Sequence, residues 1–128
     1  MKIDVSVGEV VDKITILEIK NKKITDDRKL QFIGEELNLL KNTLKSEGVE
    51  VPSNLVDELR EINLKLWEAE DIIRECEINN DFGASFVECA RNDAILNDQR
   101  FLVKNKINNH CESKIKEQKS YEGLYNPD

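Results

Sequence analysis

The sequence predicts an all-α protein, an antiparallel helical bundle of about four helices built from two helical hairpins, with a partly irregular C-terminal tail. Three observations carry this prediction. Leu and Ile recur at steps of three and four in several long segments, the spacing that puts them on one face of a helix. Two S-x-x-E stretches, Ser6 to Glu9 and Ser85 to Glu88, have the form of a capping box. Only five Gly and two Pro interrupt 128 residues, too few for a loop-rich or all-β chain.

The first helix is expected from Ser6, as N-cap, to about Lys23. Val7, Val10, Val11, Ile14, Leu17 and Ile24 form its apolar stripe, while Ile16 and Ile19 fall outside it, so a second face of this helix should also be covered. The second helix starts near Thr25 to Asp27, where the acidic pair suits a positive helix end. Leu30, Ile33, Leu37, Leu40 and Leu44 make a coiled-coil-like seam, and Gly48 followed by Pro52 stops it. The third has Ser53 as expected N-cap, the longest clean seam (Leu55, Leu59, Ile62, Leu66, Ala69, Ile73, Cys76) and an end at Asn79-Asn80. The fourth opens near Ser85 and reaches His110 or Cys111. The whole chain, 1–128, reads as one domain, with 112–128 as a tail either packed back or mobile and Tyr121, Leu124 and Tyr125 as an aromatic cluster able to fold onto the bundle.

Composition excludes several functions. With 19 Lys+Arg against 26 Asp+Glu, the formal net charge is −7, and nucleic-acid binding draws most of its affinity from cationic side chains on phosphates. Nucleic acid is therefore not an expected partner, although Lys104 to Lys119 is the least acidic region. Glu9, Asp12, Lys13 and Glu18 interrupt the most apolar stretch, Val5 to Ile19, so no membrane span or secretory leader is expected and the chain reads as cytoplasmic. Cys76, Cys89 and Cys111 are widely spaced and form no C-x-x-C pair. They read as free thiols, and no metal or other cofactor is expected. Gly-rich phosphate loops, H-E-x-x-H and serine-nucleophile motifs are absent from the sequence.

The fourth segment breaks the amphipathic pattern. At about 100° per residue, Phe86, Val87, Ala90, Ala94 and Phe101 gather on one flank and Cys89, Leu96, Val103 and Ile107 on another. Asp93, Asn97, Arg100, Lys104 and Asn108 run between them. Polar groups on a core-facing surface are costly unless partnered. Possible partners stand beside the seam of the third helix (Asn63, Trp67, Glu70, Arg74) and on the stripe of the first (Glu18). Glu70 and Arg74 have the favoured i,i+4 order for an ion pair. The candidate polar pocket thus comprises Glu18, Trp67, Glu70, Arg74, Asn97, Arg100, Lys104 and Asn108. One reading is a pocket for a small anionic molecule, bound by Arg100, Lys104 and Arg74, with Glu18 or Glu70 as acid, base or metal ligand. The other is a buried network that sets helix register, or simply a wet groove, since ion-pair networks arise without any catalysis.

The stretches Val5-Ser6-Val7-Gly8-Glu9 and Asp12 to Lys20 (DKITILEIK), Leu66-Trp67-Glu68 running to Arg74 and Glu77, Asp81-Phe82-Gly83 running to Phe86, Asn97-Asp98-Gln99-Arg100 with Lys104, Ile107 and Asn108, and Lys119-Ser120-Tyr121 resemble an uncharacterised bacterial and phage family of unknown function, DUF6165. The resemblance covers nearly the whole chain. It implies a small helical protein with no established activity and no catalytic residues to carry over. Some members resemble appendages of larger proteins with helical repeats or of glycan-biosynthesis gene clusters, which favours an accessory role. Cys111 stands where the resemblance has Gly, leaving the end of the fourth helix open. Two functions compete at this level: an accessory or interaction module that binds a protein partner or forms a homodimer, and a small-molecule binder or enzyme of the anion-pocket kind.

Overall fold

A computed structural model of the chain describes residues 1–120 and residue 123. Its elements are α1 (Val7–Lys23), α2 (Asp27–Ser46), α3 (Ser53–Ile78) and α4 (Ala84–His110). The all-α, four-helix architecture matches the expectation. The aromatic cluster expected at Tyr121, Leu124 and Tyr125 lies outside the described residues.

Local chemistry accounts for the boundaries. The Ser6 side chain accepts from the Glu9 N–H at 3.1 Å and starts α1, and Asp26 does the same for Lys29 at 2.9 Å to start α2. Three helices end in the same six-residue closure. Val49 N–H bonds Leu44 O, Asp81 N–H bonds Cys76 O and Ser113 N–H bonds Asn108 O. The turn residues Gly48, Asn80 and Glu112 have φ of 67°, 51° and 52°, the left-handed conformation this closure requires.

Two expected caps are corrected. The carbonyl of Pro52 accepts from Leu55 and Val56, so Pro52 is the N-cap of α3 and Ser53 its first residue. At α4 the N-cap is Gly83, with no side-chain cap. Asp81 takes the Gly83 N–H at 3.2 Å, the chain turns early, and Ser85 lies inside the helix, where it caps nothing.

α1 is the central element. One of its faces packs on α2, where Ile14 and Leu17 meet Leu37, Ile33, Leu40 and Leu44. The other packs on the α3–α4 hairpin, where Val11 joins Leu59, Ile62, Leu66, Leu96, Val103 and Ile107. Being covered on two sides explains why α1 has apolar residues on more than one face and why Ile19 is buried. α2 packs along α1 and along neither α3 nor α4; Leu37 is its only buried residue, and Phe32 and Leu39 stay exposed. The last turns of α1 run beside Arg60 and Leu64. At 1.5 Å per residue α1 is about 25 Å long and α3 about 39 Å, so the far end of the α3–α4 hairpin projects beyond it.

Candidate functional site

The polar line of α4 is real, and α1 lies on it. α1 carries its own polar stripe of Gly8, Asp12 and Thr15, each buried. The two stripes run antiparallel: Gly8 meets Asn108 and Asp12 meets Arg100.

Asp12 is the centre. Its side chain is 2% exposed, and both oxygens are occupied. Arg100 grips the carboxylate with two prongs, Nε to Oδ1 at 2.8 Å and Nη2 to Oδ2. Asn63 Nδ2 donates to Oδ1 at 2.9 Å and to Thr15 Oγ1 at 2.9 Å, while the Thr15 hydroxyl donates to the Asp12 carbonyl at 2.8 Å. Three helices are thereby tied at one point. Burial alone would raise the Asp12 carboxyl, but the fork from Arg100, the amide of Asn63 and the nearby Lys104 charge outweigh it and hold it below the ordinary carboxylate range. The Arg100 guanidinium is correspondingly held more basic by its hydrogen bonds to Asp12, against burial.

One turn on, Lys104 is buried, with its ammonium 2.8 Å from Glu9 Oε2 and 2.8 Å from Glu117 Oε2. Burial opposes the charge, yet the two carboxylates win and raise its pKa. Burial likewise works against the Glu117 charge, and Lys104 prevails to lower its pKa. Glu9 therefore does not close a reciprocal capping box; its side chain goes to Lys104 instead.

The first three N–H groups of α1 are each capped by a side chain. Val7 donates to Ser113 Oγ at 3.2 Å, Gly8 to Asn108 Oδ1 at 2.6 Å and Glu9 to Ser6 Oγ at 3.1 Å. Donors left orphaned by helix geometry are here filled from α4 and the turn after it. A Cβ on Gly8 would stand 2.6 Å from the Lys104 carbonyl oxygen and 2.9 Å from Asn108 Oδ1, so only Gly permits this approach. Asn108 Nδ2 is buried and has no hydrogen-bond partner among the described residues.

The eight candidate residues separate into three groups. Arg100, Lys104 and Asn108 belong to this cluster. Asn97 lies at its edge, donating to the Asp93 carbonyl at 3.1 Å and accepting from Arg100 at 3.5 Å. Glu18 pairs with Arg60 at 3.2 Å, one helix turn removed. Trp67 is half-buried on α3, and Glu70 and Arg74 are exposed there with no ion pair between them. Sequence reading passed over Asp12, Thr15, Ser113, Glu117 and the buried Asp98. It had a usable signal in Asp12 and Thr15, which share a stripe with Gly8 between the apolar residues Val11 and Ile14.

The charges of the cluster are paired with one another. Both cations it contains already hold carboxylates, and both oxygens of its innermost carboxylate are filled. No group of three or more His, Cys, Asp or Glu among the described residues is placed to hold a metal ion, and no described helix is long and apolar enough to cross a membrane. The far end of the hairpin differs: Ile72, Ile78, Phe82 and Val87 are exposed there.

No curated protein and no solved structure matches the chain. The model of DUF6165, a family of unknown function, matches residues 1–127, and the chain belongs to that family.

Proposed function

We propose that this chain is a non-catalytic accessory module that works in the cytoplasm by contact with another protein. One observation carries the reading: the buried charges are consumed by one another, through the Arg100 fork on Asp12 and the Glu9–Lys104–Glu117 triad, while large apolar side chains remain uncovered at the end of the hairpin. A group held between fixed partners positions helices. A small anion at Arg100 or Lys104 would compete with the carboxylates already held there.

A thermal-shift screen against anionic metabolites and nucleotides, with and without Mg²⁺, separates this from a small-molecule site. The expected result is no stabilisation by any compound. Photo-crosslinkers placed one at a time across the exposed surface, at Phe32, Ile78, Phe82 and Ile115, then report partners in cells. Crosslinks concentrated at one of these positions support the reading. A ligand that raises Tm in the wild type and not in Arg100→Ala, with no crosslink at any position, overturns it in favour of the anion pocket.

A further inference from the structure

We propose that the projecting end of the α3–α4 hairpin is a docking surface for a cationic amphipathic segment of a partner protein; the inference rests on the interaction-module reading and names its partner class. The apolar part is Ile72, Ile78, Phe82 and Val87, with Ile78 80% exposed. Phe82 is held edge-on against Phe86 at 5.4 Å between ring centroids. A shallow groove of about 210 Å³ joins Ile72 to Glu75, Cys76, Asn79, Asp81 and Ser85.

Charge decides the occupant. Residues 68–88 contain seven carboxylates (Glu68, Glu70, Asp71, Glu75, Glu77, Asp81, Glu88) and one cation, Arg74, a net −6 out of the −7 of the whole chain. None of these eight side chains is in an ion pair among the described residues, so their charge faces solvent rather than one another. A second copy docking through the same end would bring the two acidic patches together, and an anionic lipid surface or a phosphate backbone would be repelled. A helix or strand with apolar side chains on one face and Lys or Arg beside them satisfies both halves of the surface, the apolar contacts giving affinity and the charges steering encounter.

Fluorescence anisotropy with labelled 18-residue probe peptides tests this. One peptide has Leu at i, i+3, i+4 and i+7 with Lys elsewhere, a second keeps the Leu pattern with Glu, and a third has the Lys/Leu composition scrambled. The first is expected to bind at least 10-fold more tightly than either other. Its binding should weaken at least 10-fold in Ile78→Ser/Phe82→Ser and in Glu75→Lys/Asp81→Lys, weaken further with added salt, and stay unchanged in the α2 control Phe32→Ser/Leu39→Ser. Circular dichroism melts confirm that these surface variants fold. Equal binding of the scrambled peptide, or indifference to the hairpin variants, overturns the proposal. If crosslinks then form at Phe32 rather than at Ile78 or Phe82, only this docking surface fails and the interaction-module reading stands. Crosslinks at none of the positions overturn both.

Discussion

The two ends of α4 carry similar kinds of side chains and put them to opposite uses. Between Asn97 and Asn108 two of its cations meet carboxylates across the bundle: Arg100 holds Asp12, and Lys104 holds Glu9 and Glu117. From Ala84 to Arg91 the helix has only α3 beside it, and Val87 and the neighbouring carboxylates stay in solvent. The difference lies in the covering element. Where α1 lies across the hairpin, desolvation favours pairing of the buried charges, with Asn108 Nδ2 an unpaired exception among the described residues. Where α1 has turned away, nothing forces pairing, and nothing hides apolar area either. Burial together with charge therefore marks the end of the hairpin that α1 crosses, and unpaired charge beside exposed apolar groups marks the end it leaves uncovered.

The sharpest way to break the comparison is to remove one partner at the buried end. Asp12→Ala leaves Arg100 without its carboxylate and Asn63 without an acceptor, and is expected to cost about 3–5 kcal/mol, read as a loss of unfolding free energy in urea. A cycle of Asp12→Asn, Arg100→Met and the double variant isolates the coupling. A double variant less damaged than the sum of the singles is expected; additive losses would mean that the fork does not bind the helices together.

Next comes the close approach of the two stripes. Gly8→Ala introduces a methyl group 2.6 Å from a backbone carbonyl oxygen, which only a shift of α1 away from α4 relieves. About 1–3 kcal/mol is expected, with Val7 and Gly8 amides losing hydrogen-exchange protection. Gly34, with open space around the same added atom, serves as control: Gly34→Ala should stabilise α2 by up to about 1 kcal/mol.

Acid should act on the same end. A carboxyl whose folded pKa lies below its unfolded value contributes stability that is complete above the unfolded value and lost as pH falls through the folded one. Asp12 and Glu117 are both lowered, from ordinary values of 3.8 and 4.5. Stability should thus be flat from neutrality down to about pH 5, then fall through pH 4 and below. Asp12→Asn should be less stable at neutral pH and show a shallower acid limb. An unchanged acid limb would detach Asp12 from the pH dependence.

The same contrast governs what the sequence made legible. The four helices were readable because their seams follow a 3.6-residue period over many turns, as at Leu59, Ile62, Leu66 and Ala69, all buried. The polar line of α4 was readable for the same reason: Asn97, Arg100, Lys104 and Asn108 are periodic. Its partners were not, because pairing across helices depends on which helix lies over which, and α1 meets α4 across about 90 residues of chain. Glu70 and Arg74 drew notice by i,i+4 order, a local rule blind to whether anything covers that face. Ser85 drew it by the capping pattern, which says nothing of an Asp81 side chain able to turn the loop a residue earlier.

The smallest expected effect is at that misleading pair. Glu70→Ala and Arg74→Ala, alone or together, remove exposed side chains that hold no ion partner among the described residues, so each should change stability by less than about 0.5 kcal/mol. Their coupling in a double-mutant cycle should be near zero, and neither should alter the acid limb set by Asp12. They lie within the acidic stretch proposed for docking, however, and there the signs differ. Glu70→Ala removes a favourable charge for a cationic probe peptide and should weaken its binding slightly, while Arg74→Ala removes a repulsive one and should strengthen it. Two substitutions silent in stability and opposite in binding would separate the two uses of charge in one helix. A shared loss of stability above 1 kcal/mol would instead return Glu70 and Arg74 to the structural network and narrow the docking surface to the apolar tip.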